Sequence, residues 1–409
     1  MEIRDYVRER DRDAVFRIWR EVGWYKEGRD EIIDLFIDAG RALVAEIEGA
    51  AECLTLSAPG TLRYLDETLP LSAVTSVITS LVARRQGLAR RVTARLLARD
   101  ALKGAAVAGL GIFDQGFYNQ LGFGNGSYTL GFAFDPAQIQ VPGGHRVPRR
   151  LGHDDWEAVH RSRMARVPAH GQVTLTPPII TRADMGWGDT SFGLGYMDGP
   201  NGELSHHIWI GTDAIEHGPY NINWISYHTR EQFRELLSLL GSLGDQVRLV
   251  RMDEPAGIQL QDLLRQPFRQ YAITEGARHA ARARALAWWQ MRILNLNACL
   301  ASTHLSGEPV RFCLELEDPI SRFLDVDEGW SGIAGEYVVT LGEESSARPG
   351  WDAGLPTLRA TVNALTRMWL GVRPASGLAI TDQLDGPADL LARLDRLIRL
   401  PVPCPDWDY

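Results

Sequence analysis

An α+β chain of three successive units is what this sequence predicts, on three observations. Its 409 residues exceed what one hydrophobic core holds, at roughly 100–200 residues per domain. A hydrophobic share of 45% and a charged share of 23% match globular proteins and exclude disordered, collagenous and mucin-like chains. Helical and strand periodicities alternate along its length.

The first unit opens with two amphipathic helices: Val15, Ile18, Trp19 and Val22 recur at helical spacing, and a second stretch runs from Asp30 to Ala39. Apolar runs at 41–47, 50–56 and 72–81 read as strands bounded by turn residues. Helical spacing returns at 88–103, where Leu88, Val92, Leu96 and Leu97 share a face. A strand at 105–113, a short helix around Phe117 and a strand at 128–134 complete the unit, closed by Pro142, Gly143 and Gly144. The second unit repeats that order: a helix at 154–165, strands at 190–197, 206–210 and 220–227, and a helix at 230–240. The third has a helix at 286–291, strands at 310–317 and 335–341, and a late helix at 387–397. The boundaries expected are 1–142, 143–278 and 279–409.

Charge and cysteine use exclude several functions. A net charge of −9 argues against nucleic-acid binding, which shows as basic excess on a whole domain. The last hundred residues, with nine basic and sixteen acidic side chains, disfavour a polyanionic partner. No run approaches the roughly 18 apolar residues that span a bilayer, and the charged start, Met1 to Glu9, lacks a secretory core, so a cytoplasmic location is expected. Cys53, Cys299, Cys313 and Cys404 have neither zinc nor redox spacing and read as buried thiols. His160, His217 and His228 lack ligand spacing, while His206 and His207 face opposite sides of a strand, so no metal is expected. Gly122, Gly124 and Gly126 lack the strand-to-helix context of a dinucleotide loop.

Against the acidic background, Arg84 to Lys103 carries seven basic residues and one acid. Here Val77, Ile78, Thr79 and Ser80 end a strand, Arg84, Arg85, Gln86 and Gly87 form a turn, and Leu88, Ala89 and Arg90 begin a helix. Gly87 and Ala89 let backbone approach a ligand, and free N–H groups, helix dipole and arginines together suit a pyrophosphate. On charge alone, a solvated basic helix face is the competing reading. The order of elements favours the cradle, because the pattern Gln/Arg-x-x-Gly-x-Gly/Ala lies between a central strand and a long helix.

This stretch resembles the GNAT superfamily of acyl-CoA-dependent N-acyltransferases, as does the later run Phe113, Asp114, Gln115, Gly116, Phe117, Tyr118, Asn119, Gln120, Leu121, Gly122, Phe123. With a second such unit that lacks the glycine turn, the segment from Met368 to Ser376 and the ending on Tyr409, the chain resembles the enhanced intracellular survival family. The resemblance implies tandem GNAT (acyl-CoA N-acyltransferase) folds followed by a sterol-carrier-protein-like α/β domain. It implies acetyl-CoA as co-substrate, bound by Val77, Ile78, Thr79, Arg84, Arg85, Gln86, Gly87, Leu88, Ala89, Arg90, Phe113 and Asp114. It also implies a cationic amine acceptor, aminoglycoside, polyamine or lysine, and a homo-oligomer, a hexamer in relatives.

Acyl transfer from a thioester to an amine needs an oxyanion donor, a proton acceptor and a proton for the leaving thiolate. By resemblance Thr79 lies nearest the oxyanion, Tyr118 is the general acid and the carboxylate of Tyr409 is the proton acceptor. A phenol of reference pKa about 10 is protonated at neutral pH. The Pro401–Tyr409 tail cannot be helical and, extended, spans roughly 30 Å. An α-carboxyl of reference pKa about 3.5 needs desolvation or a water relay to accept the proton, or else acts electrostatically on the incoming cation. Trp24, Tyr25, Glu27, Asp30, Asp34 and Phe36 are available for a cationic acceptor. Thr79 and Leu81 depart from the family's β-branched apolar residue and proline, leaving the acyl length open. In the second unit, Glu231 and Glu235 would repel a pyrophosphate, so no coenzyme is expected there. Competing functions are a lipid binder using the C-terminal domain and a non-catalytic coenzyme A sensor.

Overall fold

The structure, a computed structural model, describes residues 1–188, 190–267, 276 and 278–408. The chain begins with β1 (Glu2–Asp5), α1 (Arg8–Glu21), α2 (Asp30–Asp38), β2 (Arg41–Ile47), β3 (Ala50–Tyr64), β4 (Glu67–Thr79), α3 (Leu88–Leu102), β5 (Val107–Gly111) and β6 (Gly124–Asn125). A single 3-10 turn, Tyr118–Leu121, lies between β5 and β6. Next come β7 (Thr129–Phe134), β8 (Arg149–Leu151), α4 (Trp156–Met164), β9 (Val173–Leu175), α5 (Pro178–Trp187), β10 (Ser191–Tyr196), β11 (His206–Thr212), β12 (Tyr220–Ser226), α6 (Arg230–Ser242), β13 (Val250–Asp253) and β14 (Arg282–Leu286). The last third holds β15 (Trp289–Ile293), α7 (Leu296–Ala301), β16 (Val310–Glu317), β17 (Gly335–Leu341), β18 (Ser346–Pro349), β19 (Thr357–Thr361), α8 (Val362–Trp369), α9 (Ala375–Thr381), β20 (Leu384–Asp385) and α10 (Ala388–Leu397).

These elements form two compact units. One comprises residues 1–127, 170–175 and 287 onward, and the other residues 128–169 and 176–286. The first unit contains a sheet ordered β1-β2-β3-β4-β5-β15-β6, with β9 added to β3, and a second sheet ordered β18-β17-β16-β19-β20. The other unit contains one sheet, β14-β7-β13-β12-β11-β10-β8.

In the first unit, α3 lies across its sheet because its apolar residues cover two adjacent stripes. Leu88, Val92 and Leu96 pack with Leu43, Ala45 and Cys53 of β2 and β3. Ala94 and Leu97 pack with Val74 of β4, Ala108 and Leu110 of β5, and Tyr118. The buried Asp100 fixes the far end of the helix, accepting bonds from Arg41 at 2.5 Å and from Ser57 and Ser72 at 2.7 Å each. Opposite α3, Val15, Phe16, Ile18 and Trp19 of α1 bury against Val44, Leu54, Leu56 and Ile78. Helices on both faces thus hold β4 in place at the turn that follows it.

Three assignments change. The expected helix at 286–291 is instead the end of β14 and the start of β15, whose five residues are all buried. A strand covered on both faces shows no alternation, and its apolar run is indistinguishable from a buried helix. The strand expected to complete the first unit, β7, pairs with β13 and β14 in the other unit's sheet. Finally, β3 continues past Leu56 to Tyr64, through Pro59 and Gly60. Pro59 is tolerated because β2 pairs with β3 only as far as Ser57 and β9 begins at Gly60, so its missing N–H falls between two partners.

Candidate active site

The turn after β4 is built for a ligand that accepts hydrogen bonds. Gly87 caps α3 with φ +77° and no side-chain cap, and a Cβ there would meet nothing within 4 Å. The first bond of the helix runs from Arg91 N–H to Gly87 O at 3.2 Å, so the N–H groups of Leu88, Ala89 and Arg90 have no intrahelical acceptor. Leu88 is buried beneath the turn, whereas Arg84, Arg85 and Gln86 are exposed. Arg85 is itself left-handed, φ +62°, which with Gly87 curls successive amides toward one side.

Before this turn, β4 separates from β5. Their parallel pairing runs from Leu71–Val107 to Val74–Leu110 and then stops, while β4 stays paired to β3 as far as Thr79–Cys53. The register with β3 shifts by one residue between Leu54 and Leu56, and Ser76 at the irregularity has φ +49°. Such a bulge bends the strand away from its neighbour. Ser80 N–H donates to Glu52 O at 2.9 Å, so antiparallel alternation turns the N–H and C=O of Thr79 to the opposite edge, where β5 no longer runs. Thr79 presents backbone to the opening, while the Ile78 side chain is buried in the core under α1.

Tyr118 is 7% exposed and packs with Val74, Leu97, Leu110, Leu121 and Phe123, with Val77 alongside. Its ring meets Phe117 and Phe123 edge-on, at 4.9 and 6.2 Å. Burial pushes the phenol well above its ordinary value, and the negative charges of Asp114 and Cys53 add to the shift. Among the described residues the hydroxyl has no hydrogen-bond partner. Thr79 Oγ1 donates to Cys53 Sγ at 3.4 Å, and burial raises that thiol to about 12. Thr79 and Cys53 are therefore neighbours, and Cys53 lies within electrostatic reach of Tyr118. Arg90 joins the cradle to the Tyr118 turn through a hydrogen bond to Gln120. The sequence reading assigns neither Cys53 nor Gln120 to the site. Gln120 occupies a variable position of its motif, and nothing local marks Cys53.

A family model described as "Acetyltransferase (GNAT) domain" matches residues 2–126. Residues 2–126 thus match a GNAT domain. The chain is accordingly an enzyme of the acyltransferase class, and GNAT acetyltransferases use acetyl-CoA as co-substrate. No curated protein matches the sequence. Among solved structures, the fold is similar to an Enterococcus faecalis V583 protein described as a probable N-acyltransferase, with TM-score 0.80, 18% identity, and 100% and 99% of the two chains covered. It is similar to a GCN5-related N-acetyltransferase from Kribbella flavida, with TM-score 0.75, 18% identity and coverage of 100% and 98%. It is also similar to Eis1 from Mycobacterium abscessus, with TM-score 0.76, 16% identity and 100% of both chains covered.

Around the GNAT domain's opening, several charged residues have internal partners. Arg91, Arg95 and Arg99 pair with Asp325, Glu328 and Asp5 at 3.6, 2.6 and 2.6 Å. Arg84 and Arg85 carry no ion pair among the described residues. Asp34 receives Arg12 through both carboxylate oxygens, at 3.1 and 2.9 Å, and Asp30 accepts from the Tyr25 hydroxyl at 2.8 Å. Phe36 packs against the core under α1. Of the acceptor candidates, Glu27 and Trp24 remain exposed. Trp24 stands edge-on to Phe113 at 6.0 Å, and Phe113 is itself 80% exposed. Asp114 is also exposed, and its main-chain carbonyl accepts the Phe117 N–H at 3.3 Å.

The helix start of the other unit is closed. Thr229 and Gln232 cap α6 reciprocally: Gln232 N–H donates to Thr229 Oγ1 at 3.2 Å, and Gln232 Oε1 accepts from Thr229 N–H at 3.3 Å. These bonds occupy amides that the GNAT domain leaves open at α3. Glu235 is not a free charge there. Arg146 bonds both its oxygens at 2.8 Å and holds its carboxyl down at about 2. Asp198, His206 and Glu235 bring ligand atoms within 4.8 Å of one another, a cluster the sequence spacing does not reveal. Arg146 also bonds Asp198 at 3.0 and 2.5 Å, and its guanidinium bridges the two carboxylates. His207 is fully buried, bonded to Ser162 at 3.0 Å and to Trp224 at 2.9 Å, and burial lowers it to about 3.

The tail is docked as far as Trp407. Ser127 Oγ donates to Pro403 O at 2.5 Å, Cys404 N–H to His170 O at 3.0 Å, and Gln172 to Asp406 at 3.2 Å. Trp407 is 1% exposed. Tyr409, the expected proton acceptor, lies outside the described residues. Cys53, Cys299 and Cys313 are buried free thiols, and Cys404 is half-buried. Among the described residues, no helix is long and apolar enough to cross a membrane.

Proposed function

We propose that the chain is an acetyl-CoA-dependent N-acetyltransferase of the enhanced intracellular survival type that acetylates amines of a cationic acceptor by direct attack. The observation that carries this reading is the juxtaposition at the end of β4: a cradle of unpaired amides, a parted strand pair and a buried phenol with a free hydroxyl.

The amides of Leu88, Ala89 and Arg90, with Arg84 and Arg85, hold the pyrophosphate; Gly87 permits the close approach. Val77, Ile78 and Thr79 lie along the pantetheine arm, and the thioester carbonyl faces the parted strands. The Thr79 N–H stabilises the oxyanion as the amine nitrogen bonds the carbonyl carbon. As the C–S bond breaks, Tyr118 gives its proton to the sulfur, and the proton leaving the amine passes to the carboxylate of Tyr409, directly or through water. Docking of the tail through Trp407 brings the chain to within two residues of that carboxylate. Phe113 and Trp24 offer aromatic faces to a cation at the rim. The same reading includes a degenerate second GNAT-like domain at 143–278, a sterol-carrier-like domain at 279–409 and a hexameric assembly. The apolar cavity under that last domain, lined by Tyr64, Phe312, Met368 and Trp369, is about 20 Å³, room for about one water and far too small for a lipid chain.

The test is thiol release from acetyl-CoA with aminoglycosides, polyamines and lysine peptides, comparing the chain with a version extended by one residue beyond Tyr409. Turnover that collapses on extension is expected. Turnover that survives removes the carboxylate from the mechanism, and tight acetyl-CoA binding without release for any amine turns the reading into a sensor.

A further inference from the structure

The turn that carries Tyr118 is held from outside the GNAT domain's own sequence. On β15, Gln290 and Arg292 lie two residues apart and therefore on one face of the strand. Gln290 Nε2 donates to Asn119 Oδ1 at 3.1 Å, and Arg292 Nη1 donates to Leu121 O. From α8, Asn363 Nδ2 donates to Asn119 O at 2.9 Å and to Phe123 O at 2.8 Å. Three main-chain carbonyls that follow Tyr118, those of Asn119, Leu121 and Phe123, are thus bonded to residues of the last third of the chain.

Arg292 is itself fixed. It and Asp318 are fully buried, with Nη2 2.6 Å from Oδ2, and Asp318 also accepts from Ile320 N–H at 3.1 Å and Ile333 N–H at 3.0 Å. Each charge is paired and hydrogen-bonded, the condition for tolerating ions away from water. The contact is close enough to dictate sequence. Gly122 has φ +85°, and a Cβ there would lie 2.6 Å from Val362 Cγ1 and 2.8 Å from Arg292 Nη1. The turn is a single 3-10 turn that bonds itself through Gly122 N–H to Asn119 O at 3.1 Å, Phe123 N–H to Tyr118 O at 3.3 Å and Asn119 Nδ2 to Phe123 O at 3.0 Å, and the bonds from β15 and α8 tie it to the rest of the unit.

We infer that the last third of the chain positions Tyr118 for proton donation, with Asn363 and the Arg292–Asp318 pair as positioning residues that set the height and angle of its turn. This rests on the reading of Tyr118 as proton donor. It gives the C-terminal segment a role in the chemical step that is independent of the terminal carboxylate. Asn363 is the point of attack, since its side-chain amide bonds two of these carbonyls at once.

A double-mutant cycle with Tyr118→Phe tests it. Asn363→Ala is expected to lower kcat about 10- to 100-fold, the scale of a misplaced catalytic group, with KM for acetyl-CoA changed less than about twofold. In the Tyr118→Phe background the same change should leave kcat within about twofold, because the group it positions is gone. Asn363→Asp keeps the shape and removes the donor, so it should repeat the kcat loss if the alanine variant does not fold. An equal loss with and without the phenol overturns the inference and leaves the general acid standing, as does wild-type kcat in both Asn363 variants. Wild-type kcat in Tyr118→Phe alone removes the general acid and this inference together.

Discussion

Tyr118 sits among Val74, Leu97, Leu110 and Phe123, its hydroxyl without a hydrogen-bond partner among the described residues, and that environment determines its chemistry. Burial disfavours the phenolate, so the proton stays on oxygen to a higher pH than in an exposed tyrosine. The sign follows directly. A general acid with a raised pKa is competent at neutral pH and fails only as pH rises past its own value. The alkaline limb of kcat is therefore expected above about pH 10, the reference for a phenol, and Tyr118→Phe should abolish it. A wild-type limb near pH 8 that survives the substitution would assign proton donation elsewhere. Asp30 and Asp34 show the opposite lesson: spacing alone offers them to an acceptor, but Tyr25 and Arg12 already hold them.

The cradle depends on one backbone position. Gly87 has φ +77° with open space where a Cβ would go, so Gly87→Ala adds strain without a clash, on the order of 1–2 kcal/mol. It should raise KM for acetyl-CoA about tenfold, with kcat at saturation little changed. Unchanged affinity in a titration with coenzyme A would show that the turn does not carry the pyrophosphate. This segment was legible in the sequence because its signal is local: β-branched residues, then Gly87, then helical spacing from Leu88. The predicted spans of β2, β16 and β17 coincide with the observed ones for the same reason. The strand parting after Val74 has no local signal in the sequence, since it depends on where β5 leaves β4. β15 was misread because burial on both faces removes its alternation. Gly60, where a Cβ would lie 2.6 Å from Thr174 O, reads locally as a turn residue but serves close strand approach.

Across the full chain, residues far apart in sequence meet at the site, and no window of sequence reveals that. Asn363 and Tyr118 are separated by more than two hundred positions, yet Asn363 bonds the carbonyls of Asn119 and Phe123. The strand beside β5 in the first sheet, β15, comes from beyond residue 287. The first unit therefore contains both the GNAT domain and the last third of the chain. The account requires a functioning proton donor at Tyr118. Its most direct test is thiol release from acetyl-CoA by the wild type and Tyr118→Phe, with coenzyme A binding measured on both. The predicted result is release by the wild type, about 10²- to 10⁴-fold slower release by the variant, and equal binding. Equal release by the two proteins, or no release by the wild type with any amine, would contradict it.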